Sequence, residues 1–536
     1  MTESAMAGRS AGFDYLDWTL TAVLAANVAK HPDRIALEDP TTSLTYQQVW
    51  DRACEIAGGL TAAGVAEGDH VLTMLSNSLD YALTIIAINF AGAVSVPTNT
   101  MYKGSSLDHI VRNSQARVAI IDDSYIDVFS AVAPTFPHVV VRGTPPAPGA
   151  AKITWQITPF SDLLQGTPVE PVPRSVWNTL MIGYTSGTTG LSKGVVLSNG
   201  QAFQVANPIE VQGITSDGNK IYIVCPMFHI TGTLGGLFCA FIGGDTAYLG
   251  RPFSVTTFFD DVNRAGATNV LLVAAMVEFL LNLPPRADDA GNSLRNVYVV
   301  PLHPRHREFT ERFGVKMRTS YGGTEIGCVL VTKDSADLER KACLQARDGF
   351  EVRLVDEHDI EVPDGEVGEA VVRSSLPWLV GVEYLGNPDA TAAVWRNGWF
   401  HTGDLLQRDA EGYYGFVDRA RDAIRRRGEN ISSMEVEREV AAHPEVVECA
   451  AVGVASRHLE QEVKIFVVRR PESALTEELL VKFLADRMPR FSVPRFVEFV
   501  DDFPRTATAK VRKEVLRALP NDDAWDREAH GFELPR

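Results

Sequence analysis

The chain has 536 residues, of which 45% are apolar, 42 are glycine and 29 are proline. This length exceeds one ordinary domain and predicts roughly two to four. The 50 basic and 68 acidic side chains give a net charge of −18, which disfavours nucleic acid and anionic lipid as main partners. Six widely spaced cysteines without a CxxC pair indicate neither a disulfide framework nor a zinc site, and favour a reducing cytoplasm.

The N-terminus has no basic region followed by an apolar one, so it does not resemble a secretory signal. Two long stretches, 81–102 and 221–244, contain no Asp, Glu, Lys or Arg. Both include Pro, Gly and polar residues, whose backbone groups a lipid phase could not satisfy, so we assign them to a protein core. We therefore expect a cytoplasmic protein that does not insert into a membrane.

Short β-branched runs recur through the first two thirds of the chain and are typical of buried strands. Stretches with helical spacing lie between several of them, at 107–114 and 255–266, and this alternation predicts parallel sheets covered by helices. We interpret the loop-rich residues 142–150 and 166–175 as a connector. The predicted strands are 71–75, 118–122, 139–142, 220–225, 269–274 and 296–300.

The pattern changes at Gly349, where short strands and turn residues follow one another. Residues 350–374 predict a hairpin with Asp364 and Gly365 in its turn. The fold class that results is α/β, with a large N-terminal domain of stacked, helix-covered sheets and a β-rich subdomain.

A second, small α+β domain of roughly one hundred residues is predicted beyond Asp418. Ser432 and Glu435 have the spacing of a capping box at the start of a helix. A strand at 463–470, a helix at 476–488 and a strand at 495–500 follow. The predicted divisions are 1–417 for the N-terminal domain, 418–421 for a hinge and 422–536 for the C-terminal domain.

Glycine and hydroxyl residues alternate in YTSGTTGLSKGVVLS, residues 184–198, after an apolar strand-like run. Glycines let a backbone fold tightly round an anion, amide and hydroxyl groups donate to its oxygens, and a lysine adds charge. Residues 185–193 are therefore predicted to bind phosphate and are called the phosphate segment; a flexible linker is the alternative. The Walker pattern is excluded because Gly194 follows Lys193. The candidate contacts are Thr185, Ser186, Gly187, Thr188, Thr189, Gly190 and Lys193.

Three further elements keep a fixed order along the chain: SYGGTEIG at 320–327, HTGDL at 401–405 and PRTATAKVRK at 504–513. With the phosphate segment they resemble the signature motifs of the adenylate-forming superfamily, which contains acyl-CoA synthetases, luciferases and peptide-synthetase adenylation domains. The resemblance covers nearly the whole chain. Its details, above all RRRGENISSMEVE at 425–437, are similar to carnitine and crotonobetaine CoA ligases.

The resemblance implies a two-step reaction. A carboxylate attacks the α-phosphate of ATP to give acyl-AMP and pyrophosphate, and the thiol of coenzyme A then displaces AMP. ATP or AMP, Mg²⁺ and coenzyme A are the implied cofactors. By the resemblance, Thr324 contacts the α-phosphate, Glu325 lies at Mg²⁺ and Lys510 is the catalytic lysine. The implied nucleotide contacts are Tyr321 and Gly322 beside the nucleotide, and Asp404 and Arg419 on the ribose. Arg421 lies at the implied hinge.

The coenzyme A contacts are expected in the second domain. By the resemblance, Gly428 lies along the pantetheine arm, and Arg425, Arg426 and Arg427 are candidates for the 3′-phosphate. A basic patch of this kind would help an acidic protein attract a polyanion. The alternative for the arginines is a solvated helix end.

The acyl pocket is expected along residues 226–238 and beside the strand that leads into Tyr321. His229 matches an aromatic gate residue of the family, with a buried structural histidine as the alternative. Missing side-chain volume at the glycines predicts room for a bulky, mostly apolar acid, although glycines also permit close helix packing. The pocket candidates are Phe228, His229, Gly232, Gly235 and Gly323.

Two departures from the family pattern lie in the nucleotide half. Tyr298-Val299-Val300-Pro301 replaces a Gly-Gly-Ala-Pro element beside the adenine, and Lys341 to Gly349 replaces a small-residue turn. They support an alternative function, thioester formation from a supplied acyl-adenylate without ATP-dependent activation.

Three other functions are alternatives on the same fold: loading of a carrier protein, binding without catalysis, and light emission. The Arg run and the candidate catalytic residues make an acyl-CoA ligase the preferred prediction. The identity of the acid and the oligomeric state, with a homodimer as one option, stay open.

Overall fold

The computed structural model describes residues 9–146, 153–185, 192–215, 218–340, 342–419, 424–426, 429–431, 433–455, 461–504, 511 and 513–534. Contacts divide the chain into two compact units. The larger comprises Met1–Thr100, Val111–Tyr184 and Gly194–Asp418. The smaller comprises Met101–Ile110, Thr185–Lys193 and Arg419–Arg536.

An eight-stranded sheet forms one layer of the larger unit. Its central strands pair in parallel, and Val118–Asp122 is buried at every position, as expected of a strand covered on both faces. The short strand Glu383–Tyr384 pairs antiparallel at one edge. In order, the strands are Glu383–Tyr384, Lys193–Ser198, Thr179–Thr185, Val94–Pro97, His70–Met74, Val118–Asp122, His138–Arg142 and Gln156–Pro159.

A seven-stranded sheet forms a second layer of the larger unit. Six of its strands pair in parallel, and their carboxyl ends meet at one edge, where open α/β sheets bind ligands. In order, the strands are Lys316–Arg318, Asn296–Val300, Asn269–Val273, Lys220–Ile223, Thr246–Leu249, Ile35–Glu38 and Ser43–Thr45.

Antiparallel strands complete the larger unit. The predicted hairpin is confirmed, with Phe350 opposite Ser374 and Val355 opposite Glu369. A three-stranded sheet contains Ser320–Gly323, Gly327–Val331 and Gln345–Ala346. The five-stranded sheet contains Phe350–Val355, Val367–Ser374, Trp395–Arg396, Trp399–Arg408 and Tyr414–Arg419, and a two-stranded ribbon contains Arg9–Ser10 and Phe13–Asp14.

Helices cover these sheets, and several begin at a residue that sequence rules favour. Thr45 and Gln48 form a capping box, and Ser198 caps a helix by accepting the Gln201 N–H. The helices are Tyr15–Asp17, Leu20–Lys30, Tyr46–Ala62, Leu79–Phe90, Gly104–Asn113, Asp123–Tyr125, Ile126–Val132, Phe160–Leu163, Asn199–Ala206, Ile230–Gly232, the π-helix Thr233–Phe238, Cys239–Gly243, Phe258–Ala265, Ala274–Leu281, Asp289–Gly291, His306–Phe313, Ser335–Glu339 and Pro388–Val394.

The smaller unit has its own sheet and core beyond Arg419. Lys464 is fully buried there and pairs with Glu498 at 2.9 Å. The sheet order is Val446–Ala455, Gln461–Arg469, Phe496–Phe499 and Trp525–Asp526, the hairpin is Ile424–Arg426 with Glu429–Ile431, and the helices are Ser433–Ala441, Glu477–Ala485 and Lys513–Arg517.

The predicted α/β fold class is confirmed by these layers. Each of the six predicted strands is present within two residues of its expected bounds. The supposed connector contains structure of its own between its two loop-rich parts, because Gln156–Pro159 joins the eight-stranded sheet and a short helix follows. Among the residues described, no helix is long and apolar enough to cross a membrane.

Candidate active site

Two adjacent strands of the eight-stranded sheet carry the phosphate segment. The upstream strand is Thr179–Thr185 and the downstream strand is Lys193–Ser198. A Cβ at Gly194 would lie 2.9 Å from Ile182 Cγ2 and 3.1 Å from Tyr184 Cζ. Glycine at this point therefore lets the two strands approach closely without displacing these side chains.

The Thr324–Glu325 turn lies against the upstream strand. A Cβ at Gly183 would be 3.1 Å from Thr324 Cγ2, so this strand position and the threonine are in near contact. Gly322 sits in the hairpin that ends in the turn, where an added Cβ would collide with the Gly327 carbonyl oxygen at 1.8 Å. The two glycines thus set the position of a turn that carries two predicted catalytic residues.

Glu325 is fixed at both its backbone and its side chain. Its carbonyl oxygen accepts from the Gln201 side-chain amide at 2.9 Å and from the Gly381 N–H at 2.5 Å. The same Gln201 amide donates to the Thr324 carbonyl at 2.9 Å. The carboxylate Oε1 accepts from the Tyr384 hydroxyl at 3.0 Å. This arrangement presents a carboxylate in a defined orientation, which a metal ligand requires.

Tyr384 is suited to act as a permanent donor. Burial raises its pKa above the ordinary value, and the nearby Glu325 charge adds to the effect, because both disfavour a phenolate. The hydroxyl therefore stays protonated at neutral pH and continues to donate to Glu325.

Tyr321 and Asp404 meet in the larger unit. The Tyr321 hydroxyl donates to Asp404 Oδ2 at 2.9 Å. The strand segment before Asp404 is held by Thr402, whose hydroxyl donates to the Ala370 carbonyl at 2.7 Å, and by Glu369, which accepts the Gly403 N–H at 2.9 Å. Two predicted nucleotide-binding residues are thus within hydrogen-bonding distance of each other.

His229 lies between a strand of the seven-stranded sheet and the π-helix. Its Nδ1 accepts the Thr231 N–H at 3.3 Å and lies 2.9 Å from Thr231 Oγ1. Because Nδ1 is an acceptor, the neutral ring carries its proton on Nε2. Surrounding protein groups desolvate the ring and lower its pKa to about 4, so His229 is uncharged at neutral pH.

The glycines beside the predicted acyl pocket pack against protein instead of leaving room. A Cβ at Gly232 would lie 2.3 Å from the Pro226 carbonyl oxygen, and one at Gly235 would lie 2.6 Å from Leu271 Cδ1. At Gly236 the nearest atom is Ile223 Cγ1 at 3.0 Å. The expectation that these glycines create space for a bulky acid is therefore wrong, and close helix packing is the reason for them. Gly323 differs, since its nearest neighbour would be Glu325 Oε2 at 3.5 Å.

The departure at Tyr298 is absorbed in the core. Its ring is buried, and its hydroxyl hydrogen-bonds Ser320 Oγ. Val299 is fully buried, and only Val300 is partly exposed at the end of the strand. The second departure includes the strand Gln345–Ala346, which pairs with Gly327–Val331. Most of the added side-chain volume is thus accommodated by packing.

Arg426 is a structural residue of the smaller unit. It is 2% exposed, its NH1 donates to the carbonyls of Phe491 and Val493 at 2.8 and 3.0 Å, and its Nε lies 2.7 Å from Glu462 Oε2. These partners occupy the guanidinium, so we withdraw Arg426 from the coenzyme A candidates. Arg425 alternates with it along the hairpin strand and is partly exposed.

Several predicted residues fall outside the described part of the chain, and their assignments stay predictions. They are Ser186, Gly187, Thr188, Thr189, Gly190, Arg421, Arg427, Gly428, Lys510 and the side chain of Arg419. Thr185 ends the upstream strand and Lys193 begins the downstream one. Phe228 lies beside His229 and is partly exposed.

Sequence reasoning missed Gln201, Tyr384 and Glu369. Their partners are distant in the chain, and Gln201 is separated from Glu325 by 124 residues. Gln201 does follow an N-cap serine at the start of a helix, but this signal predicts the helix and not the contact.

Two family descriptions match the chain. Residues 24–379 match the family described as AMP-binding enzyme, and residues 435–510 match the AMP-binding enzyme C-terminal domain. Among curated proteins, the crotonobetaine/carnitine-CoA ligase of Escherichia coli is 31% identical over 466 residues, which span 85% of this chain and 89% of that protein.

Solved structures are similar to this chain over nearly its whole length. ATP-bound MatB from Rhodopseudomonas palustris is 26% identical with a TM-score of 0.67, covering 92% of this chain and 98% of that one. The amide bond synthetase McbA from Marinactinospora thermotolerans is 25% identical with a TM-score of 0.79, covering 92% and 99%. The o-succinylbenzoate CoA synthetase from Bacillus subtilis, at 24% identity, shows the shared fold, with a TM-score of 0.81 over 94% of this chain and 98% of that one.

Proposed function

Since the chain belongs to the AMP-binding enzyme family, we propose that it joins a carboxylic acid to coenzyme A through an acyl-AMP intermediate. The enzyme class predicted from the sequence, an AMP-forming acyl-CoA synthetase, is confirmed by the family match and the relatives. The proposal concerns the complete two-step reaction and the residues that perform it.

The position of the Thr324–Glu325 turn is the observation that carries the proposal. The turn lies against the strand that leads into the phosphate segment, and Gln201, Gly381 and Tyr384 fix its orientation. A threonine hydroxyl and a carboxylate held beside the strand that leads into the phosphate segment suit a phosphoryl oxygen and its metal ion.

Glu325 is the proposed ligand for Mg²⁺. The described residues contain no cluster of three or more His, Cys, Asp or Glu side chains able to hold a metal. A single carboxylate suits Mg²⁺, which is commonly bound by one or two carboxylates together with substrate phosphates. When bound, Mg²⁺ would neutralise phosphate charge, and Lys193 and Lys510 are the proposed protein cations for the approach of two anions.

Asp404 is proposed to accept hydrogen bonds from the ribose. Its carboxylate is oriented by the Tyr321 hydroxyl, and the strand segment that carries it is held by Thr402 and Glu369. In the second step, the C-terminal domain is proposed to turn about the hinge and deliver the thiol of coenzyme A. Arg425 stays the described candidate for the 3′-phosphate.

We propose a mostly apolar acid. His229 offers an uncharged ring at neutral pH, and Met227 and Phe228 flank it on the same loop. An uncharged polar group can orient a substrate without requiring a second charge on it. Because Gly232 and Gly235 pack closely against protein, they do not indicate a large acid, and the proposal covers the polarity of the acid but not its size.

The test separates the two steps. Aliphatic, aromatic and polycyclic acids are screened for pyrophosphate release with ATP, and thioester formation is measured from synthetic acyl-AMP and coenzyme A. We expect both activities in the unaltered enzyme. Lys510→Ala should slow pyrophosphate release by about a hundredfold or more, whereas Lys482→Ala, an exposed helix residue, should leave it unchanged.

The outcomes distinguish the alternatives. Thioester formation from acyl-AMP without pyrophosphate release would favour the half-reaction alternative, which the burial of Tyr298 makes less attractive. Acyl-AMP formation without transfer to coenzyme A would favour a carrier-protein acceptor. Absence of both activities across the panel would contradict the proposed function.

A further inference from the structure

Asn113 links the strand upstream of the phosphate segment to a different part of the chain. The Tyr184 hydroxyl donates to Asn113 Oδ1 at 2.7 Å, and Asn113 Nδ2 lies 3.3 Å from the Leu385 carbonyl oxygen. A carbonyl can only accept, so Nδ2 must face Leu385 and Oδ1 must face the tyrosine. The side-chain orientation is thus fixed by its partners.

Leu385 continues the link to the downstream strand. Its N–H donates to the Gly194 carbonyl at 2.7 Å. Tyr384 pairs with Val195, because the short strand Glu383–Tyr384 lies antiparallel to the downstream strand Lys193–Ser198. The segments immediately before and after the phosphate segment are therefore connected through Asn113 and one dipeptide.

The same dipeptide also holds the proposed metal ligand. The Tyr384 hydroxyl donates to Glu325 Oε1 at 3.0 Å, and its ring is buried. The adjacent residues Tyr384 and Leu385 thus contact Glu325 by a side chain and Gly194 by the backbone.

We propose that Asn113 and Tyr384 are positioning residues that hold both strands of the phosphate segment and the Glu325 carboxylate in one arrangement for acyl-AMP formation. This inference rests on the proposed two-step function. Neither residue touches the reacting atoms; each acts through Tyr184, Gly194 or Glu325. They act as one unit because Leu385 and Tyr384 are consecutive.

The first step is the one that should depend on this arrangement. Acyl-AMP formation needs the metal ion and the departing pyrophosphate to be placed together, whereas thioester formation starts after pyrophosphate has left. Loss of either link should displace Glu325 or the two strands relative to each other. A displacement of about 1 Å can slow a reaction by a hundredfold.

The experiment compares both half-reactions in Asn113→Ala, Tyr384→Phe and the double variant. Tyr46→Phe and Asn292→Ala are matched controls. Tyr46 is buried with its hydroxyl donating to the Asp245 carbonyl, and Asn292 donates to the carbonyls of Asp289 and Phe313. Neither belongs to the site, so both controls should keep full activity. Thermal unfolding of every variant shows whether it folds.

We expect each site variant to lower the rate of pyrophosphate release by between about tenfold and a hundredfold, and to raise the Mg²⁺ concentration needed for half-maximal nucleotide binding. Thioester formation from synthetic acyl-AMP should change less than about twofold. The double variant should be no slower than the worse single variant, since residues of one unit are not additive.

Three results would overturn the inference. The first is a rate of pyrophosphate release in the site variants that equals the rate in the control variants. The second is an equal loss of rate in both half-reactions in a site variant whose thermal stability is unchanged. The third is a pair of independent losses that multiply in the double variant. If the unaltered enzyme catalysed neither half-reaction with any acid, the proposed function itself would fail, and that result is distinct from all three.

Discussion

The hydroxyl of Tyr321 donates to Oδ2 of Asp404 across 2.9 Å, joining residues from two different sheets of the larger unit. This bond orients one carboxylate oxygen of Asp404, which follows Gly403 in the strand Trp399–Arg408, and Gly403 has a φ of +71°. A left-handed backbone at this point favours glycine. An oriented carboxylate of this kind is what the proposed contact between Asp404 and the ribose hydroxyls requires.

The first prediction concerns this pair. Asp404→Ala should raise KM for ATP by about tenfold to a hundredfold, and Tyr321→Phe by a smaller factor, since a hydrogen bond to a charged group contributes about 1.5–3 kcal/mol. AMP binding measured by calorimetry should weaken in the same order. Asp364→Asn, in an exposed ion pair of the same antiparallel sheet with Arg408, is the control. Unchanged AMP affinity in Asp404→Ala would remove Asp404 from the ribose site.

The second prediction concerns glycine packing. Gly232→Ala and Gly235→Ala should lower the free energy of unfolding by about 1–3 kcal/mol, because each Cβ would enter space that Pro226 or Leu271 already occupies. Urea denaturation measures this loss. Gly291→Ala, where an added Cβ meets nothing within 4 Å, should show none. If Gly232→Ala kept its full free energy of unfolding and accepted only smaller acids than the unaltered enzyme, Gly232 would instead create space for the acid.

The third prediction concerns His229 and pH. The pKa of His229 is lowered to about 4 by desolvation, whereas in the unfolded chain it lies near 6.5. Between these values the unfolded chain binds a proton that the folded protein does not, so stability falls as the pH falls through this window.

His229→Gln should remove that part of the acid sensitivity. The free energy of unfolding, measured at about pH 7 and about pH 5, should decrease less in the variant than in the unaltered protein. His358→Gln, on the surface, serves as the control. An NMR titration of His229 with a midpoint near 6.5 would contradict the prediction.

The fourth prediction separates neighbouring arginines. Arg426→Met removes the nearer of the two cations that face the buried Glu462, leaving Arg495 at 3.9 Å, and it also removes the donor to the Phe491 and Val493 carbonyls. The free energy of unfolding should therefore fall by about 3–5 kcal/mol. Arg425→Ala should keep its stability and raise KM for coenzyme A. The increase should be absent with 3′-dephospho-coenzyme A, which lacks the group that Arg425 is proposed to meet. Equal increases with both thiols would contradict that contact.

Most strands and helices could be predicted because their formation depends on residues that are close together in the sequence. The run Val118–Asp122 was predicted at its observed bounds, since a short apolar run that includes β-branched residues favours a buried parallel strand. The helix Glu477–Ala485 begins after Thr476, which caps it. The strand Gln156–Pro159 was missed because it is short and contains proline at its end.

The site was only partly predictable, since its contacts depend on tertiary structure. The motif around Glu325 indicated its chemistry, but no local pattern indicates that Tyr384 would donate to it. From the sequence alone, the three consecutive arginines 425–427 predict one basic patch. Strand periodicity, had the hairpin Ile424–Arg426 been recognised, would have placed Arg425 and Arg426 on opposite faces.

Transfer of a carboxylate oxygen to AMP tests the central claim most directly. An acid that gives a product in the screen is labelled with ¹⁸O in its carboxylate and incubated with ATP and coenzyme A, and the nucleotide and thioester are analysed by mass spectrometry. Attack on the α-phosphate predicts one ¹⁸O atom in AMP and the other in the thioester carbonyl. Label in inorganic phosphate with ADP, or unlabelled AMP beside the thioester, would contradict the account.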